Sequence, residues 1–473
     1  MSGYDAVVVG SGPNGLTAAV ALARAGRSVL VVEAAEAIGG GLRTEELTET
    51  GYLHDVCAAV FPLVAASPYL RTLGLERHGL RLVHPPAPLA HPLDDGGAAM
   101  LERSVAATAE TLGPAGAAYR RIVAPLVRDA GPLFPEILRP PLRAPRHPLV
   151  LGRFAAGGLG PATLLGRRMP GDRAGGLIAG LAAHSMIELS RPLTGAVALM
   201  FAAAGHAYGW PIAEGGAGRV ADALAGALRA AGGTIETGRP VARLADLPPA
   251  RAVLFDLSPP QVAAIAGGHL PGWYRRLLGR HRRGVGVFKL DLALDGPLPW
   301  TAPECARAAT VHLGGTMAEV AAAEAAVRAG RHPERPFVLL AQPSLFDGSR
   351  APAGKHVVWA YCHVPNGSTV DMTGRIERQI ERFAPGAADL IRARSSRTTA
   401  DLEAANANYL GGDIGGGVAD LLGVLARPLP LPDPYRTPNP RLYLCSASTP
   451  PGAGVHGMCG YHAARSALRR ALR

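Results

Sequence analysis

Tyr4-Asp-Ala-Val-Val-Val-Gly10-Ser-Gly12-Pro-Asn-Gly15-Leu-Thr-Ala-Ala-Val-Ala-Leu-Ala-Arg-Ala-Gly26 is the stretch that decides the fold. Ala6 to Val9 is a short apolar run that reads as a buried parallel strand. Gly10, Gly12 and Gly15 follow at G-x-G-x-x-G spacing. Leu16 to Ala25 then reads as an Ala/Leu-rich helix, and a second apolar run, Ser28 to Val32, ends in Glu33. The glycines therefore stand in a full strand–turn–helix–strand frame. Gly10 permits the tight turn, Gly12 lets backbone approach a pyrophosphate, and Gly15 lets helix pack close to strand. The helix N-terminus offers unpaired N–H groups to phosphate. Glu33 stands where a carboxylate accepts hydrogen bonds from a ribose diol, and an acid there favours an unphosphorylated 2′-hydroxyl. The competing reading, a glycine-rich turn that binds nothing, leaves the agreement of these elements unexplained.

The next residues distinguish between dinucleotides. Ala34-Ala-Glu-Ala-Ile-Gly39-Gly40-Gly41-Leu42-Arg43-Thr44 supplies glycines that let the chain pass close to a cofactor, and an arginine with a planar fork for pyrophosphate. Near the other end, Leu442-Tyr-Leu-Cys445-Ser-Ala-Ser-Thr449-Pro-Pro-Gly452-Ala-Gly454-Val455-His456-Gly457 reads as a strand, a turn of small residues, and glycines opening a helix. Such a turn can aim backbone N–H groups at a flavin ring. With both ends in view, the chain resembles the phytoene desaturase and retinol saturase branch of the FAD-dependent amine oxidase superfamily. Within that branch it is similar to bacterial NAD(P)/FAD-dependent oxidoreductases, nearly end to end. The resemblance implies an α/β architecture: a glutathione-reductase-like FAD-binding Rossmann domain with a discontinuous α+β substrate domain. It implies FAD, held by Gly10, Ser11, Gly12, Pro13, Asn14, Gly15, Glu33, Ala34, Gly40, Gly41, Leu42, Arg43, Val241, Ser448, Gly454, Val455 and His456. Val241 matches an adenine-side contact. One departure is Ser446-Ala447-Ser448, where many relatives carry Gly-Ala or Gly-Ser-Gly, and it alters the flavin contacts expected there.

At 473 residues, two domains are expected. Hydrophobic residues make up 48% and charged residues 18%, which suits a large buried core. The net charge of +11 is almost wholly arginine, since Lys289 and Lys355 are the only lysines. Arginine-biased composition accounts for that; an anionic membrane or substrate surface is the alternative. No nucleic-acid module is present and aromatics are few, so nucleic acid is not an expected partner. The five cysteines form no C-x-x-C pair, which argues against a redox disulfide and a zinc site and fits a reducing compartment. No signal-peptide pattern precedes the first strand, and the longest apolar run, Gly195 to Gly205, is too short to span a bilayer. A cytoplasmic location is expected, with contact at the inner face of the membrane as an addition to it.

The motif positions divide the chain. Residues 1–70, 206–270 and 431–473 read as the FAD-binding domain, and 71–205 and 271–430 as the substrate domain. The first half of the latter reads helical, with proline breaks at Pro135 to Pro148. Strands are expected in its second half at Val285 to Leu294, Pro336 to Gln342 and His356 to His363. No second dinucleotide loop is found; Gly411-Gly-Asp-Ile-Gly415-Gly-Gly lacks the strand–loop–helix frame. Electrons would therefore leave to dioxygen, a quinone or another external acceptor.

Lys289 is the first catalytic candidate. Strand alternation puts Phe288, Leu290, Leu292 and Leu294 on one face and Val287, Lys289 and Asp291 on the other. Its position resembles that of the lysine in amine oxidases that holds a water against the flavin. The alternative is a strand lysine facing solvent or paired with Asp291. His456, in the flavin turn, is the second candidate, with a structural role as its alternative. His54, His184, His206 and His363 are weaker, because a lone histidine on an apolar element is more often core. No nucleophile triad and no metal-ligand spacing is present. The reading is an FAD-dependent oxidoreductase acting on a hydrophobic small molecule, isoprenoid-like or acyl, by C–C desaturation or a related redox step. A flavin amine oxidase is the alternative enzyme, disfavoured by 5% aromatics because an aromatic cage is needed. A non-enzymatic prenyl- and protein-binding protein of the GDP-dissociation-inhibitor type is disfavoured by the intact glycine loop. The amphipathic stretch from Trp273 to Arg283 is either a solvated helix or a membrane-facing one. Oligomeric state is left open.

Overall fold

The computed structural model describes residues 3–473. Its first sheet is wholly parallel, with strand order Leu442–Leu444, Ala250–Phe255, Tyr4–Val9, Val29–Val32 and Thr234–Glu236. The apolar run at Tyr4–Val9 is continuous because both faces of this sheet are covered. Ala6, Val8, Val29 and Val31 pack with the helices Pro13–Ala23, Gly218–Ala230 and Met458–Leu468. Val7, Val9, Leu30 and Val32 pack on the opposite side with Val262, Ile265, Tyr274 and Leu278. The helix Pro13–Ala23 begins straight after the glycine turn, with proline in its first turn, where a missing N–H costs nothing. This is the mixed α/β fold with a Rossmann-like domain that the N-terminal stretch predicts.

A second sheet has seven strands in the order Ile391–Arg397, Gly286–Leu294, His356–Val364, Val338–Ala341, Thr310–Leu313, Leu89–Pro92 and Ala98–Leu101. Neighbours are antiparallel except for Thr310–Leu313 beside Leu89–Pro92. The alternation expected along Gly286–Leu294 is observed: Phe288, Leu290, Leu292 and Leu294 share one core with Val358, Ala360 and Ile376. The other face, with Val287, Leu339, Trp359 and Tyr361, packs against a helical layer that includes Gly116–Arg128, Asp172–Ala183 and Thr194–Ala207. Two strands of this sheet lie in the part of the chain read as helical. Leu89–Pro92 and Ala98–Leu101 are four residues each, with three alanines, a proline and no β-branched residue between them, so β-propensity was a poor guide.

The two halves are tied by a buried ion pair. Arg350 Nη2 lies 2.6 Å from Asp55 Oδ2, and Asp55 Oδ1 accepts from Thr44 Oγ1 at 2.8 Å and Ala217 N at 2.7 Å. Among the described residues no helix is long and apolar enough to cross a membrane.

Candidate functional site

A single cavity of about 1240 Å³ runs from the glycine turn to the face of the second sheet. Ordinary small-molecule sites occupy roughly 300–1,000 Å³, so a dinucleotide and a second ligand can share it. Gly10, Ser11, Gly12, Pro13, Asn14, Glu33, Ala34, Gly40, Gly41, Leu42, Arg43, Val241, Ser448, Gly454, Val455 and His456 all line it. Gly15 is absent from the wall because it sits behind it. A Cβ there would strike the Gly10 carbonyl and come within 3.0 Å of Asp256 Cβ, which is the close packing its spacing predicts.

At the glycine end the loops hold one another. Glu33 Oε2 accepts from Ser11 N at 2.8 Å and from Ser11 Oγ at 2.6 Å, while Oε1 accepts from Ala35 N at 2.9 Å. Glu33 thus positions the turn and, of the carboxylate's about four lone-pair sites, keeps one on Oε1 for a further donor. Arg43 donates through Nε to the Gly40 carbonyl and through Nη2 to the Ala405 carbonyl, both at 3.0 Å, leaving its other N–H groups for an anion. Asp256 went unweighted in the sequence, although it follows a strand of the parallel sheet, where such folds place ligands. Its Oδ2 accepts from Gly15 N at 2.8 Å. A Cβ on Gly12 would stand 2.6 Å from that oxygen. Burial pushes the carboxyl up to about 7; the Gly15 N–H opposes the rise and the charge of Glu33 adds to it. Asn14 Oδ1 and Ser258 Oγ, on two wall residues, are buried without a partner. Open helix N–H groups, glycines where backbone must be bare and unpartnered polar atoms fit a dinucleotide.

At the far end, His456 is buried, and its Nδ1 accepts from Met458 N at 3.0 Å. Burial lowers its pKa to about 4. The neutral ring therefore carries its proton on Nε2, which has no partner and belongs to a residue of the cavity wall. His456 offers a fixed N–H donor beside the C-terminal turn. Trp359 and Tyr361 line the cavity from one strand face, ring centroids 5.2 Å apart and nearly perpendicular. They were missed because composition counts aromatics without placing them.

Lys289 does not line the cavity. It is buried beside Trp359 on the same sheet face, opposite Tyr361 in register and 5.9 Å from the Trp359 ring, with its ammonium bonded to Asp291. Asp291 Oδ1 in turn lies 3.5 Å from His54 Nδ1, and His54 Nε2 is 2.9 Å from Thr48 Oγ1. Two residues apart on one strand, Lys289 and Asp291 share a face, and a buried ammonium takes the nearest carboxylate. Burial lowers the Lys289 pKa against the pull of Asp291. His206 is bonded to Tyr119 Oη at 2.7 Å, and His363 to Glu324 at 2.8 Å; of the weaker histidines only His184 reaches the cavity. Among the described residues no group of three or more His, Cys, Asp or Glu could hold a metal, and the cysteines are free. The stretch from Trp273 forms a helix only over Gly272–Gly279; beyond it Arg282 is paired with Asp420 at 2.7 Å, while Trp273 is exposed.

Comparison with known proteins bears on the fold. Residues 8–73 match the NAD(P)-binding Rossmann-like domain. The whole chain is similar to pyridine nucleotide-disulfide oxidoreductase domain-containing protein 2 of Rattus norvegicus, 27% identical over 98% of this chain and 93% of the relative. Among solved structures, an oxidoreductase from Methanosarcina mazei superposes with a TM-score of 0.66 at 16% identity, covering 98% of this chain and 100% of the other. Cyclohexylamine oxidase from Brevibacterium oxydans does so with a TM-score of 0.58 at 17% identity, covering 100% and 98%. The chain carries a Rossmann-like dinucleotide-binding domain and shares its overall fold with these oxidoreductases.

Proposed function

We propose that the protein is an FAD-dependent oxidoreductase that acts on an apolar small molecule by C–C desaturation or a related redox step. The observation that carries this is the continuity of one cavity from the glycine turn to the apolar second chamber. Residues 1–70, 206–270 and 431–473 are the proposed cofactor domain, and 71–205 with 271–430 the substrate domain. Gly12, the N-terminus of the helix Pro13–Ala23 and Arg43 would hold the pyrophosphate; Glu33 the ribose; Val241 the adenine side; Ser448, Gly454, Val455 and His456 the flavin end. Bound FAD supplies a two-electron acceptor beside the substrate. This chain's own groups orient the substrate, exclude water and present the His456 N–H. Lys289 would act through Asp291 and the wall residue Trp359 as a positioning residue. Dinucleotide reduction of a disulfide is not supported, because Cys57 is the sole cysteine lining the cavity among the described residues. Dioxygen or a quinone would reoxidise the flavin. A cytoplasmic setting with contact at a membrane surface belongs to the same proposal.

An amine oxidase is the second reading, favoured by the Trp359–Tyr361 pair and by the shared fold. Against it, the wall carboxylates are engaged: Glu136 accepts from Arg146 N and His147 N and pairs with Arg139. The test is the colour and content of the purified protein. Acid-released cofactor should run as FAD on HPLC, one per chain, and the bound flavin should be bleached anaerobically by apolar compounds rather than by amines. FMN, NAD or no cofactor would overturn the assignment.

A further inference from the structure

His184 is the histidine on the wall of the substrate chamber. Its ring packs 4.6 Å from Phe201 and 5.8 Å from Trp210, and its Nε2 lies 3.0 Å from Nε2 of His312. Two imidazoles in that contact must differ: one nitrogen carries the proton and the other accepts it.

The surroundings of His312 decide which. His312 is fully buried on the strand Thr310–Leu313, in register with Leu339 and through it with Tyr361. Its Nδ1 faces the helix Asp172–Ala183 at Gly180, where a Cβ would come within 2.5 Å of it. That nitrogen has no hydrogen-bond partner. A buried N–H left without an acceptor costs more than an unused lone pair. The proton of His312 therefore sits on Nε2 and is donated to His184 Nε2. Burial holds both rings below the usual histidine range, His184 at about 3, so neither is charged at neutral pH. A neutral His184 that accepts through Nε2 must carry its own proton on Nδ1, the nitrogen with no protein partner. Gly176 makes the same kind of room for His91, whose Nε2 donates to the Gly315 carbonyl at 2.6 Å.

We infer that His184 presents a fixed, neutral Nδ1–H to the substrate chamber, and that the substrate is an apolar molecule carrying a hydrogen-bond-accepting oxygen such as a carbonyl. This rests on the proposed function and narrows its substrate class. The nearby wall adds two donors with no protein partner, Trp210 Nε1 and Trp359 Nε1, and the Ser185 hydroxyl, which can donate or accept; the Glu136 carboxylate is held by Arg139. A pure hydrocarbon would leave the N–H groups unpaired, and an ammonium would meet donors with donors.

Two measurements test it on the FAD-loaded protein. The first uses 15N-histidine labelling, with His184→Leu and His312→Leu to assign the signals. At pH 7, His184 should show a protonated Nδ1 and a bare Nε2, and His312 the reverse; the opposite tautomers would overturn the inference. The second titrates matched trios of one skeleton, menthone, p-menthane and menthylamine first and then C15 and C20 analogues, reading the flavin spectrum and calorimetry. The ketone should bind about five- to tenfold tighter than the hydrocarbon, the size of one net hydrogen bond. In His184→Leu that preference should vanish while hydrocarbon affinity holds. Tighter binding of hydrocarbon or amine, a preference that survives His184→Leu, or binding by no member of any trio refutes it. FAD retained with no ketone preference sinks this inference alone, whereas absence of FAD sinks the reading beneath it.

Discussion

Asp256→Asn should make the protein's stability respond differently to pH. In the wild type the carboxyl is buried against Gly12 and Gly15, and its pKa rises from an ordinary 3.8 to about 7. Each unit corresponds to 1.36 kcal/mol, so ionising this group in the fold costs up to ~4 kcal/mol relative to the unfolded chain. The sign follows from proton binding. Between about pH 4 and 7 the folded state holds a proton that the unfolded state has released, so stability falls as pH rises through that window and levels off above it. Asparagine keeps an oxygen for the Gly15 N–H and does not ionise. Urea unfolding of FAD-free protein at pH 5 and pH 8 should therefore show the variant gaining about 2–3 kcal/mol on the wild type over that interval. The other groups titrating in this range are common to both proteins and cancel in the difference. FAD affinity, followed by flavin fluorescence, should fall with pH in the wild type across the same window, because an ionised Asp256 stands beside the pyrophosphate position. A stability difference that stays constant from pH 5 to pH 8 would refute the reasoning.

Three further outcomes are expected. Gly15→Ala should abolish FAD retention, measured by the absorbance ratio after gel filtration, because its Cβ meets backbone at Gly10 that cannot move without opening the turn; a yellow variant would contradict the packing. Arg350→Met leaves Asp55 buried without its partner and should lower unfolding free energy by about 3–5 kcal/mol, with recovery on adding Asp55→Asn. Lys289→Met should cost about 3 kcal/mol for the same reason and be rescued by Asp291→Asn. A change of ~0.5 kcal/mol or less, the size of an exposed substitution, would refute the buried pairing.

Legibility in the sequence followed how local the cause was. The glycine turn, Glu33 and the Gly40–Arg43 segment are contiguous, and each residue type has one backbone reason to be there; all but Gly15 appear on the cavity wall. The alternation along Gly286–Leu294 was equally plain, because a sheet with unlike faces writes its period into the chain. What stayed hidden depends on distant partners. Asp256 matters because residues 241 positions away in the chain bring Gly15 to it. Lys289 stood out as one of two lysines and lies on the same sheet face as Trp359 and Tyr361, yet rarity does not say which residues of that face reach the cavity. His184 and His312 are 128 positions apart, and the local trace of their pairing is Gly180, whose bare backbone leaves room for the His312 ring. Leu89–Pro92 and Ala98–Leu101 are strands through their neighbours rather than their composition.

The parallel sheet begins at Tyr4 and is completed by Leu442–Leu444, and the last helix, Met458–Leu468, packs so closely on the first that a side chain at Gly460 would strike the Asn14 carbonyl. The glycine turn Gly10–Gly15 is synthesised long before the strand Leu442–Leu444 and the helix Met458–Leu468 that support it. Until those elements are made the turn lacks its neighbours, so under the proposed function a dinucleotide would be captured only after they fold onto it.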